Sequence, residues 1–187
     1  MSGAAPALVI LRRMAQNNAW ANRVLHRACG QLSEAEYLAE RAGFFPSIAL
    51  TLNHIYEVDA YYLSALKGVE IAYENRDQDL NFDSFAALSA AQRREDRRFL
   101  AFCDGLGAAD LERKGRFRRP GGKLFDEELP AVIAHLAQHQ VHHRGQVHAM
   151  LSSTSVAPPQ LDDFYLDYGV DPLALRFRKG EIPEDTA

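Results

Sequence analysis

Cysteine is scarce in this chain. Cys29 and Cys103 are the only two in 187 residues, they lie far apart, and they form no CxxC pair. A disulfide framework and a cysteine-rich zinc site are therefore excluded. No apolar run is long enough to span a bilayer. The apolar stretch in MSGAAPALVILRRMAQ has no charged segment before it, so it does not read as a secretory signal. An excess of one sign of charge is also missing. With 21 Lys+Arg against 25 Asp+Glu and a net charge of −4, nothing draws the whole chain toward nucleic acid or anionic lipid. Internal repeats, low-complexity tracts and strand–helix alternation are absent, which disfavours solenoids and doubly wound sheets. The expectation is a cytoplasmic protein forming a single domain over 1–187, with a core over about 7–153 and a tail, 154–187, packed on it.

Histidine, by contrast, is concentrated. Five of the seven histidines fall in HLAQHQVHHRGQVHAML, residues 135–151. Four segments have helical patterning. The first, over 7–29, carries Leu8, Leu11, Ala15, Ala19, Asn22 and Leu25 at helical spacing and stops at Gly30. In the second, Pro46 suits the first helical position, Ser47 to Leu66 follow, and Gly68 closes it. Ser84 caps a third, which runs to about Cys103. Pro130 opens a fourth, from Ala131 to about Ser153. The connection between the third and fourth is long, and RFRRPGGKLF within it centres on a turn signal, Pro120-Gly121-Gly122, suiting a small hairpin. A short helix over Pro172 to Arg178 is expected in the tail. The fold class is all-α, a four-helix bundle.

An α-helix turns about 100° per residue. On that wheel His139 and His143 share the apolar arc of the fourth helix with Val132, Leu136, Val147 and Met150, His135 and His142 sit at its edge, and His148 points away. An i, i+4 pair of imidazoles on one face can converge on one divalent ion. A third ligand must come from elsewhere. His54 lies on an inward stripe with Leu50, Val58, Tyr61 and Ala65, whereas His26, near a helix end, is expected to be exposed. His54, His139 and His143 are thus the metal candidates. The competing reading is core histidines bonded to a backbone carbonyl or a tyrosine hydroxyl. Gly145 suggests close approach of a neighbouring helix, and Arg144, directed away from the ligand face, an ion pair to another helix or a second subunit.

The segments NNAWANRVL, TLNHI and HLAQHQVHHRGQ, followed by PPQLDDFYLDYG, resemble the DinB family from about residue 8 to 170. The resemblance implies an up-down-down-up four-helix bundle, often dimeric, with a divalent metal held by positions matching His54, His139 and His143. It also implies that Asn18 and Trp20, which match an N-x-W pattern, line the cavity beside the metal. Relatives include bacillithiol and mycothiol transferases and a mycothiol-dependent isomerase, so the implied chemistry is activation of a low-molecular-weight thiol toward a small-molecule substrate.

Imidazole donors suit several ions, Zn or Ni foremost. His135 and His142, on the rim, could relay a proton, or could simply be partly exposed polar residues. Two other readings remain at this point. One is a hydrolase using bound water with Glu57 as base, and the other a non-enzymatic, stress-related metal-binding module. The basic stretch Arg113, Lys114, Arg116, Arg118, Arg119 and Lys123 could hold an anionic cofactor or be a solvated hairpin. Only Phe117 and Phe125 interleave it, which disfavours nucleic acid.

Overall fold

A computed structural model of the chain describes residues 4–69, 81–118, 121–168 and 171–183. Four long helices form the bundle: α1 (Ala4–Cys29), α3 (Ile48–Leu66), α4 (Phe85–Asp104) and α5 (Leu129–Leu151). A short α2 (Glu34–Leu38) precedes α3, and α6 (Tyr165–Tyr168) and α7 (Pro172–Arg178) lie in the tail. The helix starts follow side-chain chemistry. Ser33 and Glu36 form a capping box on α2, while Ser47 and Ser84 accept from the backbone of Leu50 and Ala87. Pro46 therefore lies just outside α3 rather than in its first turn, because Ser47 takes the cap. Gly68 ends that helix region with φ of +75°, a conformation glycine adopts without strain.

Cross-helix bonds fix the directions. Arg12 donates to the Asp104 carbonyl and His26 Nδ1 meets Ser89 Oγ, so α1 and α4 run antiparallel. Gln92 reaches Asp59 and Arg98 reaches Ser64, so α3 and α4 run parallel. His54 meets His139 and Tyr62 meets His135, so α3 and α5 are antiparallel. The order is up-down-down-up, with α1 and α3 on one diagonal and α4 and α5 on the other. Between α4 and α5, β1 (Lys114–Arg118) and β2 (Leu124–Glu128) pair as an antiparallel hairpin with Phe117 opposite Phe125. Gly121 and Gly122 hold positive φ at its turn, and Phe117 is fully buried against Tyr62. Residues 70–80, together with Arg119 and Pro120, lie outside the described residues. No helix among the described residues is long and apolar enough to cross a membrane.

The interior is layered. One apolar cluster joins Leu11, Val58, Tyr61, Phe99 and Leu136; the other joins Leu25, Ile48, Leu52, Leu88 and Val147. Between them lies a polar layer contributed by all four helices: Asn18, Asn22, Asp59, Gln92, Asp96, Gln140 and Arg144, each at most 4% exposed. Arg144 Nη1 donates to the side-chain oxygens of Asn18, Asn22 and Gln140. Gln92 and Gln140 both donate to Asp59, and Asn22 donates to Asp96 at 2.8 Å. Asn22, which interrupts the apolar stripe in the sequence, is therefore a member of this layer. His26 is buried, not exposed, because α4 covers it and Ser89 satisfies its ring. In the tail, Leu166, Ala174 and Phe177 pack on Ala19, Trp20 and Ala21 of α1.

Burial of Asp96 pushes its carboxyl up to about 7, against hydrogen bonds from Asn22 and Gln92 that favour the anion. An acid raised in the fold is most stabilising when protonated, so that contribution is lost as pH rises from about 4 to about 7. The donors of Asn18, Asn22 and Gln92 all reach Oδ1, an atom that Asp96→Asn retains. Relative to that variant, the wild type is expected to lose about 1.4 kcal/mol of stability per pH unit across this window. Urea midpoints at pH 4.5, 6 and 7.5 would measure it, and a pH-independent difference would contradict the assignment.

Candidate metal centre

His54 comes from the middle of α3, and His139 and His143 from adjacent turns of α5. Their ligand atoms all lie within 4.8 Å of one another, so the three could hold one ion. The Nε2 atoms of His54 and His139 are 3.0 Å apart. Two imidazole nitrogens sharing a tetrahedral ion at about 2.0–2.1 Å would stand about 3.3 Å apart. The observed spacing needs a shift of only a few tenths of an ångström. Ring centroids of His139 and His143 lie 4.4 Å apart, as i, i+4 stacking requires.

The surroundings favour neutral rings. Burial, followed by the neighbouring imidazoles of His143 and His54, pushes His139 down to about 3. Protons therefore do not compete for its lone pairs near neutrality. His143 Nδ1 lies 2.8 Å from Gln146 Oε1, and an amide oxygen can only accept, so Nδ1 carries the proton and Nε2 is left as the donor atom. The Gln146 amide nitrogen continues the chain to His142 Nε2 at 3.2 Å. Such outer hydrogen bonds orient metal-binding histidines. His139 Nδ1 is buried and has no hydrogen-bond partner among the described residues.

Aromatic side chains wall the site. Phe45 sits 4.4 Å from the His54 ring and 5.6 Å from the His143 ring, and Phe44 beside it is 78% exposed. Residue 43, ahead of them, is glycine; a Cβ there would stand 3.0 Å from the Phe45 carbonyl oxygen. Neither phenylalanine nor the orienting role of Gln146 was signalled by periodicity, because GFFPS is a loop and an amide three residues after a histidine looks like any solvated side chain. His135 and His142 are exposed at the rim, the former against Tyr62 and the latter against His143.

The other expected site residues lie elsewhere. Trp20 is 1% exposed, stacks on Tyr165 and donates to Asp171, so it anchors the tail rather than a cavity beside the imidazoles. Asn18 belongs to the polar layer and borders a groove on the far side of α5. Arg144 bonds the amides of α1 and α5 and forms no ion pair among the described residues, because one residue beyond His143 rotates it about 100° into the core. Gly145 marks that same groove: a Cβ there would meet nothing within 4 Å, so close helix approach is not its role. Glu57 accepts from the Asn81 amide at 2.7 Å. In the basic stretch, Arg113 pairs with Asp110, Arg116 with Asp126, and Arg118 donates to the Gly122 carbonyl.

Comparison with known proteins identifies the family and the fold. The model of the DinB family matches residues 4–169. Protein DinB from Bacillus subtilis (strain 168) is 21% identical over 155 residues, covering 80% of this chain and 89% of its own. A crystal structure of a DinB-like protein from Bacillus cereus superposes with a TM-score of 0.58 at 19% identity, covering 75% of this chain and 90% of the other. The latter likeness bears on fold alone.

Removing the amide behind His143 tests the donor assignment. Gln146→Ala is expected to weaken zinc binding roughly 10–100-fold. Gln146→Glu, which keeps the acceptor, should retain affinity close to wild type. Competition against a colorimetric chelator would measure both, and an unchanged constant for Gln146→Ala would show that the amide does not orient the ring.

Proposed function

Because the chain belongs to the DinB family, we propose that it is a divalent-metal-dependent transferase that activates a low-molecular-weight thiol at His54, His139 and His143. The observation that carries this reading is the approach of His54 and His139 from two helices, with His143 beside them and only imidazoles in the set. Three protein donors leave positions for a guest, whereas closed structural zinc sites use four. A bound Zn or Ni ion would supply Lewis acidity, lowering the pKa of a thiol or a water that reaches it.

The chain's own residues supply the rest. His54 and His139 are half-buried, which leaves an approach from solvent, while Phe45 closes the side over His54 and His143. Phe44 offers an apolar surface to the body of a small substrate. His142, linked through Gln146 to His143, and His135, beside Tyr62, stand where a proton released from the thiol could be taken up. The hydrolase reading draws less support, because Glu57, its base, is engaged by Asn81. We further assign the chain as one domain over 1–187, acting as a homodimer in the cytoplasm. The tail's packing on α1 supports the first, the family resemblance the second, and two free, buried thiols the third.

Untagged protein is expected to carry about one divalent ion per chain, with most of it lost in His54→Ala. In the cobalt-substituted protein, bacillithiol, mycothiol or glutathione should shift the visible bands. Unchanged metal content in His54→Ala would refute the three-ligand site. A cobalt spectrum unmoved by all three thiols would refute the thiol chemistry, and ester or amide hydrolysis abolished by His139→Ala would replace it with the hydrolase.

A further inference from the structure

A second recess lies across α5 from the imidazoles. It is a groove of about 940 Å³ between α1 and α5, bordered by Leu161 of the tail, and His54, His139 and His143 do not line it. Pockets that take small organic molecules typically measure about 300–1,000 Å³. The walls are apolar and open to solvent: Val9, Ile10 and Val141 are 62%, 56% and 59% exposed. Val141 and Gly145 sit on the α5 face that neither the imidazoles nor the polar layer uses. Gly145 leaves the middle of the groove empty, since a Cβ there would meet nothing within 4 Å.

The floor is a cation. Arg144 borders the groove although only 4% of it is exposed. Its hydrogen bonds among the described residues all leave from Nη1 and end on neutral amide oxygens, so Nε and Nη2 have no partner there. The acids whose charge it feels, Asp96 and Asp59, are both pushed toward the neutral form by burial. Asn17 also lines the groove, and its Nδ2 is buried and has no partner among the described residues. Arg13 at the rim is already held by the Asp163 carbonyl and the Asp167 carboxylate, and Asp162 and Asp163 face solvent at the same rim. Buried cations require a counter-charge or full hydrogen bonding.

We infer that this groove binds an amphipathic carboxylate, whose oxygens accept from Arg144 and Asn17 and whose hydrocarbon body lies along Val9, Ile10 and Val141. Charge complementarity selects this occupant over a second copy of the chain. An arginine this deep is within reach of a slender anion but not of a folded protein face.

Decanoate and 1-decanol, titrated into cobalt-loaded protein by calorimetry with the visible spectrum recorded alongside, separate the possibilities. The heat of binding does not depend on the metal reading. Decanoate is expected to bind at least tenfold more tightly than decanol and to leave the cobalt bands unmoved. Arg144→Met would disturb the core, so Gly145→Leu is the blocking variant. Its side chain enters open space, and it should weaken decanoate at least tenfold with metal content and helicity retained. Equal binding of acid and alcohol, a shift of the cobalt bands by decanoate, or an unaffected Gly145→Leu would each overturn the proposal. So would absence of binding, including the case in which Val141→Asp turns a dimer into a monomer by light scattering, because a second copy would then fill the groove.

Discussion

A guanidinium buried at the midpoint of the bundle sets the arrangement of everything around it. Only 4% of Arg144 is exposed there, and its Nη1 is held by amides: Asn18 and Asn22 from α1 and Gln140 one turn back on α5. These bonds lock α5 against rotation about its own axis. A helix slipped by one residue would turn about 100° and carry Arg144 out of the polar layer, with its hydrogen bonds lost. The same layer ties in α3 and α4 through Asp59, Gln92 and Asp96, so one polar stratum fixes the phase of all four helices.

That phase distributes three roles around a single helix. His139 and His143 face α3, Gln140 and Arg144 face the core, and Val141 and Gly145 face the groove. Each pair is the preceding one advanced by a residue, and each keeps the i, i+4 spacing that stacks side chains on one face. The imidazoles therefore owe their position to neighbours that take no part in binding an ion. Converging donors on separate helices form a usable site only when the helices are fixed to within a fraction of an ångström, and hydrogen-bonded polar layers specify register more sharply than apolar packing does.

The polar layer also explains why both sides of α5 carry partially buried polar chemistry. Two acids and one guanidinium share a water-poor interior, with both carboxyls pushed toward neutrality. With two acids and one guanidinium, the layer carries one net negative charge when both acids are ionised and one net positive charge when both keep their protons. On the imidazole side, burial keeps His139 neutral, the state an ion needs. Desolvation, one physical cause, prepares a carboxyl to keep its proton and an imidazole to lose its own.

Much of this was legible in the residues alone. Spacing of apolar positions gave four helices, the Ser84 cap gave the start of α4, Pro46 set the start of α3 slightly early, and Pro120-Gly121-Gly122 gave the hairpin. His139 and His143 share a face because the helical repeat is a local property, and His54 stood out on an inward stripe for the same reason. What periodicity cannot supply is the identity of the partner across a contact. Hence His26 was expected at the surface and is buried by α4, Trp20 was expected beside the metal and holds the tail, and Arg144, expected to form an ion pair, bonds amides in the core. Phe45 over the imidazoles and Gln146 behind His143 likewise follow from packing. The chain itself determined which side chains share a helix face, because that depends on about 3.6 residues per turn. Tertiary structure alone decided what each face meets, because burial, desolvation and hydrogen-bond satisfaction exist only once separate segments close on one another.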